Sequence, residues 1–198
     1  MEKILSRYPK EYLEQGLTQC GAYSVKAILS AYGKDDKKHP RDYNPTVLGK
    51  YASLIGVYTW PKVLESYGLY VESGNTKNLL DNQRLEFLQE TINKDNAIMI
   101  RVGNGFLKNG KYNSLVSYFI GHWITLWGYN DEKKSFYVYD SYLPLEKHNK
   151  IIPSGNTIRT FSEILRDWGR GFPPARHYSF IKVSNDILKR NSKWVIDI

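Results

Sequence analysis

Two short segments rich in aromatic and β-branched residues, 122–129 and 136–139, lie on either side of the polar run Asn130-Asp131-Glu132. This pattern predicts a β-hairpin, and it constrains the fold more than any other part of the chain. If the three polar residues form the loop, Tyr129 pairs with Lys133. All other pairs along the two strands follow from that register.

His122 and Asp140 are the chemically important pair in the predicted hairpin. The same register puts them directly opposite each other on one face of the sheet, with Cβ atoms about 4.5–5.5 Å apart. That distance suits a hydrogen bond between a carboxylate and an imidazole. A register shift of one residue would instead bring Tyr139 or Ser141 opposite His122.

Cys20 is the only cysteine of the chain, and it opens a predicted helix at residues 20–33, with Thr18 expected as the N-cap. The N-terminus of a helix carries about half a positive charge, which stabilises a thiolate relative to a free thiol with a pKa near 8.5. A cysteine followed along the chain by His122 and Asp140 supplies a nucleophile, its base and a group that orients the base.

Each of these three residues also has a purely structural interpretation. A lone cysteine is commonly a small buried hydrophobe. His122 is compatible with a hydrogen-bonded core histidine, and Asp140 with a turn residue. His177, at the start of a predicted strand, is the rival candidate for the base. The order of Cys20, His122 and Asp140, together with the hairpin register, favours the catalytic interpretation.

The remaining elements divide the chain into a helical first half and a strand-rich second half. The patterns predict helices at 20–33, from Asn44-Pro45 toward Ile55, at 60–67, at 82–93 and at 160–168, and further strands at 69–72, 97–102 and 177–183. Helices followed by an antiparallel sheet indicate an α+β fold. We expect a single domain over residues 1–198, because no linker or repeat interrupts the pattern.

Composition argues against several other classes of protein. The formal charge of +8 and the 14% aromatic content are compatible with nucleic-acid binding, but the basic residues are scattered, so we expect a solvated surface and no nucleic-acid partner. One cysteine and no paired histidines at ligand spacing predict no metal, and the absence of a glycine-rich phosphate loop predicts no cofactor.

Length and terminal sequence bear on the compartment. No run of eighteen apolar residues is present, so we expect no membrane span. The first residues lack the apolar segment of a signal peptide. A single cysteine excludes an internal disulfide, so folding does not depend on an oxidising compartment. These features predict a cytoplasmic protein, with a mature secreted form as the alternative.

The candidate residues resemble those of the papain-like cysteine peptidases, and within them the bacterial C39-like branch. Members of that branch have a Gln, a Cys-Gly pair that opens a helix, a His on one strand and an Asp on the next. Gln15, Cys20-Gly21, Gly121-His122-Trp123 and Val138-Tyr139-Asp140 occupy these positions. The resemblance covers residues 10–33 and 97–145.

The resemblance implies a papain-like fold in which the nucleophile begins a helix packed on a C-terminal antiparallel sheet. It implies that Cys20 is the nucleophile, His122 the general base and acid, Asp140 the orienting residue and Gln15 a side-chain donor to the oxyanion. The Gln of the family usually lies six residues before the Cys, whereas Gln15 lies five before it, so Gln19 is the alternative donor.

The sequence therefore predicts a thiol-dependent hydrolase, a cysteine peptidase or amidase, that acts on a peptide or protein substrate. One alternative is an acyltransferase that resolves the same Cys20 thioester with an amine or a thiol. The other is a non-enzymatic, basic binding module, for which binding would fall steeply with salt and would tolerate Cys20→Ser.

Overall fold

An antiparallel sheet organises the structure, a computed structural model that describes residues 1–16, 18–44, 46–47, 50, 59–109, 111–171 and 177–185. Within these residues seven strands form one sheet: β1 (Glu2–Ile4), β2 (Tyr70–Asn75), β3 (Ala97–Gly103), β4 (Gly121–Asn130), β5 (Ser135–Tyr139), β6 (Thr157–Thr160) and β7 (Ser179–Ser184). Their order is β2-β7-β3-β4-β5-β6. β1 pairs with the end of β4 that lies beyond β3.

Helices accompany this sheet along most of the chain. The described residues include α1 (Cys20–Ala31), α2 (Thr59–Ser66), α3 (Asp81–Asn93), α4 (Val116–Phe119) and α5 (Phe161–Trp168), with short 3-10 turns at Pro40–Tyr43 and Leu145–Lys147. Helices plus an antiparallel sheet confirm the predicted α+β fold. No helix of the described residues is both long and apolar enough to cross a bilayer.

Helix α1 packs against β4 through the apolar stripe seen in the sequence. Val25, Ile28 and Leu29 are fully buried, as the 3.6-residue period requires. Tyr32, directly after the helix, donates a hydrogen bond from its hydroxyl to the Val183 carbonyl of β7 (2.8 Å). Gly33 then takes a left-handed backbone (φ 67°), which ends the helix as predicted. The packing fixes the start of α1, and with it Cys20, against the sheet.

Several local predictions were wrong or incomplete. The N-cap of α1 is Gln19 in a left-handed conformation (φ 88°), not Thr18. The last strand begins at Ser179 rather than at residue 177, because Tyr178 also has a positive φ (57°) that breaks the extended backbone. β1, β6 and α4 were not predicted. The helix predicted from Asn44-Pro45 toward Ile55 lies largely outside the described residues.

The predicted register of the β4–β5 hairpin was also wrong. Asn130 pairs with Ser135, so the loop consists of residues 131–134 and is one residue longer than expected. The longer loop forms because the Asn130 side-chain oxygen accepts a hydrogen bond from the Lys133 N–H (2.9 Å) and Lys134 adopts a positive φ (48°). A β-bulge at Trp127 then shifts the register back by one residue.

Candidate active site

Cys20 is the first residue of α1, and its side chain is half-buried at the edge of the apolar core. Gln19 caps the helix with its backbone only, since its side-chain amide donates to the Lys50 carbonyl. The first turn of the helix contains no acidic residue. Its free N–H groups and partial positive charge therefore act on the Cys20 thiol without a competing carboxylate.

His122 and Asp140 are joined by a buried hydrogen bond. The His122 Nε2 lies 2.7 Å from Asp140 Oδ1, and each residue is only 3% exposed. The sequence had predicted that the two residues would be directly opposed, and this prediction was wrong. Continued by one residue, the β4–β5 ladder puts Asp140 opposite Ile124, and His122 lies two positions away on the same face. The pair is thus a diagonal one, which longer side chains can bridge.

Cys20 interacts with the imidazole of His122. Burial raises the pKa of the Cys20 thiol, but attraction to His122 and hydrogen bonds from the His122 ring and the backbone of Trp123 and Gly21 outweigh it, so the pKa is lowered. Burial lowers the pKa of His122, but Asp140 and Cys20 together raise it. Both directions favour a thiolate–imidazolium pair at the start of α1.

Asp140 has three further partners that the sequence did not indicate. Its Oδ2 accepts a hydrogen bond from the Arg159 guanidinium of β6, and its Oδ1 also accepts the Tyr142 N–H (3.0 Å). Asn156 holds the Asp140 backbone on both sides, accepting from its N–H (2.8 Å) and donating to its carbonyl (2.9 Å). Burial raises the pKa of Asp140, but His122 and Arg159 hold it well below its usual range. Asp140 is therefore a fixed anion.

Gln15 and Gln19 have very different environments. The Gln15 side chain is buried, and its Oε1 accepts a hydrogen bond from the Ser141 hydroxyl (2.5 Å). The backbone N–H of Gln15 donates to the Ser141 carbonyl (2.8 Å). Ser141 follows Asp140 directly, so the same segment that orients His122 also holds Gln15. The Gln19 amide is bound to the Lys50 carbonyl. Ser141 engages the Gln15 oxygen and leaves the amide nitrogen as the donor.

The other histidines have partners of their own. His177, the rival base, lies in the turn before β7, where its Nε2 is 3.2 Å from the Gly171 carbonyl. His39 accepts the Arg41 N–H, and the His148 ring contacts the Leu143 carbonyl and Asn156. Among the described residues, no group of three or more His, Cys, Asp or Glu side chains is arranged to hold a metal ion.

Gly21 allows the indole of Trp60 to pack directly beside the nucleophile. A Cβ at Gly21 would lie 2.8 Å from Trp60 Cζ2 and closer still to the indole nitrogen. Trp60 belongs to α2 and is 4% exposed, so it cannot move aside into solvent. The glycine after Cys20 is therefore required by packing, whatever its effect on substrate.

Gly21→Ala is expected to lower the free energy of unfolding by about 2 kcal/mol, measured by denaturant titration. Alanine favours a helix over glycine by about 1 kcal/mol, but overpacking a rigid contact costs up to about 3 kcal/mol. Gly16→Ala is the matched control, because a Cβ there meets nothing within 4 Å. Equal stabilities of the two variants would contradict the packing argument.

Comparison with known proteins decides the family. The model of the C39-like peptidase family matches residues 6–170. The chain belongs to the C39-like peptidase family. This membership confirms the resemblance seen in the sequence and supports a cysteine peptidase as the class of protein. A comparison with curated proteins gives no match.

Two of the solved structures that match this chain illustrate the shared fold. One is a double glycine motif protease from an AMS/PCAT transporter in complex with the leader peptide. It has 15% sequence identity to this chain and a TM-score of 0.52, and the alignment covers 92% of this chain and 97% of the protease chain. The other was solved as a candidate C39-like peptidase from Bacillus anthracis, with 15% identity, a TM-score of 0.58 and coverages of 94% and 98%. At this identity the likenesses show the papain-like fold.

Proposed function

We propose that the chain is a cysteine peptidase in which Cys20 is the nucleophile, His122 the general base and acid, and Asp140 the residue that orients His122. The observation that supports this best is the buried His122–Asp140 hydrogen bond (2.7 Å) beside the only cysteine of the chain. The lowered pKa of Cys20 and the raised pKa of His122 have the directions that such a mechanism requires.

The chemistry follows from the ring nitrogens of His122. Asp140 occupies Nε2, so Nδ1 is the nitrogen that serves Cys20. The Cys20 thiolate attacks the carbonyl carbon of the scissile amide. The tetrahedral intermediate then collapses, the C–N bond breaks, and His122 gives its proton to the leaving amine. Neutral His122 next takes a proton from water, which attacks the thioester and releases the acid and the Cys20 thiolate.

Gln15 is our choice for the oxyanion donor. Its amide nitrogen is left as the donor by the hydrogen bond between Ser141 and Oε1, whereas Gln19 is bound to the Lys50 carbonyl. A fixed N–H aimed at the developing oxyanion is a large contribution to acyl-transfer catalysis. In this proposal Ser141 decides which end of the Gln15 amide faces the substrate.

The substrate that we propose is a peptide. The double glycine motif protease of the same fold was solved with a leader peptide, and the family is named for peptidases. Close to His122 along the chain, the side chains of Leu115, Phe119 and Ile120 are exposed and offer an apolar surface to a peptide. The single free cysteine fits a reducing compartment, and we propose that the reaction takes place in the cytoplasm.

Alkylation of Cys20 by iodoacetamide, followed from pH 4 to pH 10, tests the proposal. Because the chain has one cysteine, the rate reports on that thiol alone. We expect wild-type alkylation to persist at pH 6, and His122→Ala to slow it there by about 100-fold, since an ordinary thiol of pKa near 8.5 is only about 0.3% ionised at that pH.

His177→Ala is the matched control, and it should leave the alkylation profile unchanged. A wild-type Cys20 that titrates as an ordinary thiol, with no response to His122→Ala, would exclude the proposed mechanism. Loss of ligand binding with rising salt, combined with full tolerance of Cys20→Ser, would favour the binding module instead.

A further inference from the structure

Arg159 lies between two buried carboxylates of different elements. Its side chain is 6% exposed, one guanidinium nitrogen donates to Asp140 Oδ2, and the other lies 3.8 Å from Oδ2 of Asp167 in α5. The guanidinium also stacks on the Phe106 ring, with Cζ 4.0 Å from the ring centroid. A planar guanidinium is suited to contact two carboxylates and an aromatic face at once.

Arg159 and His122 divide the oxygens of Asp140 between them. His122 binds Oδ1, and Arg159 binds Oδ2. The Asn156 hydrogen bonds fix the Asp140 backbone but do not reach its carboxylate. The rotation of the carboxylate about its Cβ–Cγ bond therefore depends on His122 and the Tyr142 N–H (3.0 Å) at Oδ1 and on Arg159 at Oδ2. Without Arg159, Asp140 Oδ2 would be a buried anionic oxygen that has lost its cation. The carboxylate would then rotate to bring Oδ2 to another hydrogen-bond donor.

The environment of Arg159 is itself fixed by the segment between β3 and α4. Phe106, which stacks on Arg159, pairs with Tyr112 in an isolated β-bridge, with ring centroids 5.0 Å apart. The Tyr112 hydroxyl donates to Asp167 Oδ1 (2.5 Å). Phe106 thus packs on the face of the Arg159 guanidinium, and Asp167 lies near the nitrogen that does not bind Asp140. These contacts fix the position of the guanidinium.

We propose that Arg159 is a positioning residue that holds the Asp140 carboxylate in the rotation that receives His122. The inference rests on the proposed function, because it assigns Arg159 a part in the Cys20–His122–Asp140 arrangement. Arg159 acts through Asp140 and has no contact with the reacting atoms in the described structure. Its effect on Cys20 passes through the orientation of the imidazole.

The titratable and charged groups around Asp140 come from five elements or their flanks. They are His122 of β4, Tyr139 of β5, Tyr142 after β5, Arg159 of β6, and Glu163 and Asp167 of α5, with Cys20 of α1 against His122. Of these, His122 and Arg159 are the cations that pair directly with the carboxylate.

A positioning role and a purely electrostatic role of Arg159 predict different results for Arg159→Lys. If Arg159 positions Asp140, both Arg159→Met and Arg159→Lys disorient His122, and Cys20 ionises at higher pH. If Arg159 acts only as a positive charge, Arg159→Met again raises the pKa of Cys20, but Arg159→Lys keeps the charge and leaves that pKa unchanged. The pH profile of Cys20 alkylation in Arg159→Lys separates these two cases.

The experiment compares iodoacetamide alkylation of the wild type, Arg159→Met, Arg159→Lys and Arg166→Met across pH. We expect the low-pH limb of the Arg159→Met alkylation profile to move up by about one pH unit, which is about tenfold slower alkylation on that limb. Arg166→Met is the matched control: Arg166 also binds Asp167 (2.8 and 3.0 Å) and stacks on Tyr112 (3.9 Å), and its described partners do not include Asp140. It should leave the limb in place.

The outcomes are distinct. Arg159→Lys, which keeps the charge and loses the planar fork, should shift the low-pH limb in the same direction as Arg159→Met by a smaller amount. An unchanged limb in Arg159→Lys, or in Arg159→Met, overturns the positioning role while leaving the proposed function intact, provided that His122→Ala slows alkylation. If His122→Ala does not slow alkylation, the proposed function fails instead. Arg159→Lys also carries the test alone if Arg159→Met does not fold.

Discussion

Asp140→Asn is expected to lower the rate of peptide hydrolysis by about three to four orders of magnitude. The carboxamide has nearly the shape of the carboxylate, but it no longer stabilises the imidazolium that forms when Cys20 is ionised. The equivalent change in a Ser-His-Asp triad reduces kcat by about 10⁴, because the imidazole takes the wrong tautomer. Steady-state hydrolysis of a fluorogenic peptide that the wild type cleaves measures the effect.

The same variant is expected to lose stability. Arg159 would keep its position with a neutral partner in place of Asp140, and breaking a buried ion pair in this way costs about 3–5 kcal/mol. Rates must therefore be compared at a temperature at which both proteins are folded. Asp131→Asn is the control, since Asp131 pairs with Lys134 in the hairpin loop and is 43% exposed. Asp140→Asn with wild-type activity would remove Asp140 from the mechanism.

Gln15→Ala is expected to reduce kcat by about 100- to 1000-fold, with a much smaller change in KM. The loss has this size because one donor to the oxyanion is removed, and that donor acts in the transition state rather than on the bound substrate. Alkylation of Cys20 by iodoacetamide forms no oxyanion, so its rate should stay within about twofold of the wild type. The two readouts together separate a lost oxyanion donor from a damaged nucleophile.

Gln19→Asn is the matched control for Gln15→Ala. Asparagine tolerates the left-handed backbone at this position (φ 88°), and its shorter side chain draws the amide back toward the helix start. We expect kcat to change by less than about fivefold, a size that would reflect a small shift of Cys20. The opposite ranking, with the larger loss in Gln19→Asn, would transfer the oxyanion role to Gln19.

The sequence predicted those parts of the fold that depend on local pattern. The helix that begins at Cys20 was found from the helical spacing of its apolar residues, and β3 was found from its continuous apolar run. The short strands β1 and β6 have three and four residues, too few to show a period, and the partners that stabilise them are distant in the chain. Tertiary pairing decides such segments, and local composition does not.

The site was predictable to the extent that its residues carry distinctive chemistry. Cys20, His122 and Asp140 attract attention by type and order, and the structure brings them together. Arg159 and Asn156 gave no signal, because a lone Arg on a short polar strand and an Asn after a glycine are ordinary surface and turn residues in a sequence. Their role around Asp140 arises from the β5–β6 pairing, which the sequence did not reveal.

The bulge at Trp127 determines which side of the hairpin carries the chemistry. Along a strand, side chains alternate between faces, so direction depends on parity alone. With a regular ladder from the Asn130–Ser135 pair, Asp140 would lie opposite Thr125, and His122 would point to the other face of the sheet. The extra residue in the bulge puts Asp140 opposite Ile124, two positions from His122, so both side chains lie on the same face. Lengthening or shortening β4 by one residue between Trp127 and His122 would therefore separate base from carboxylate, whereas a change of two would leave them on a common face.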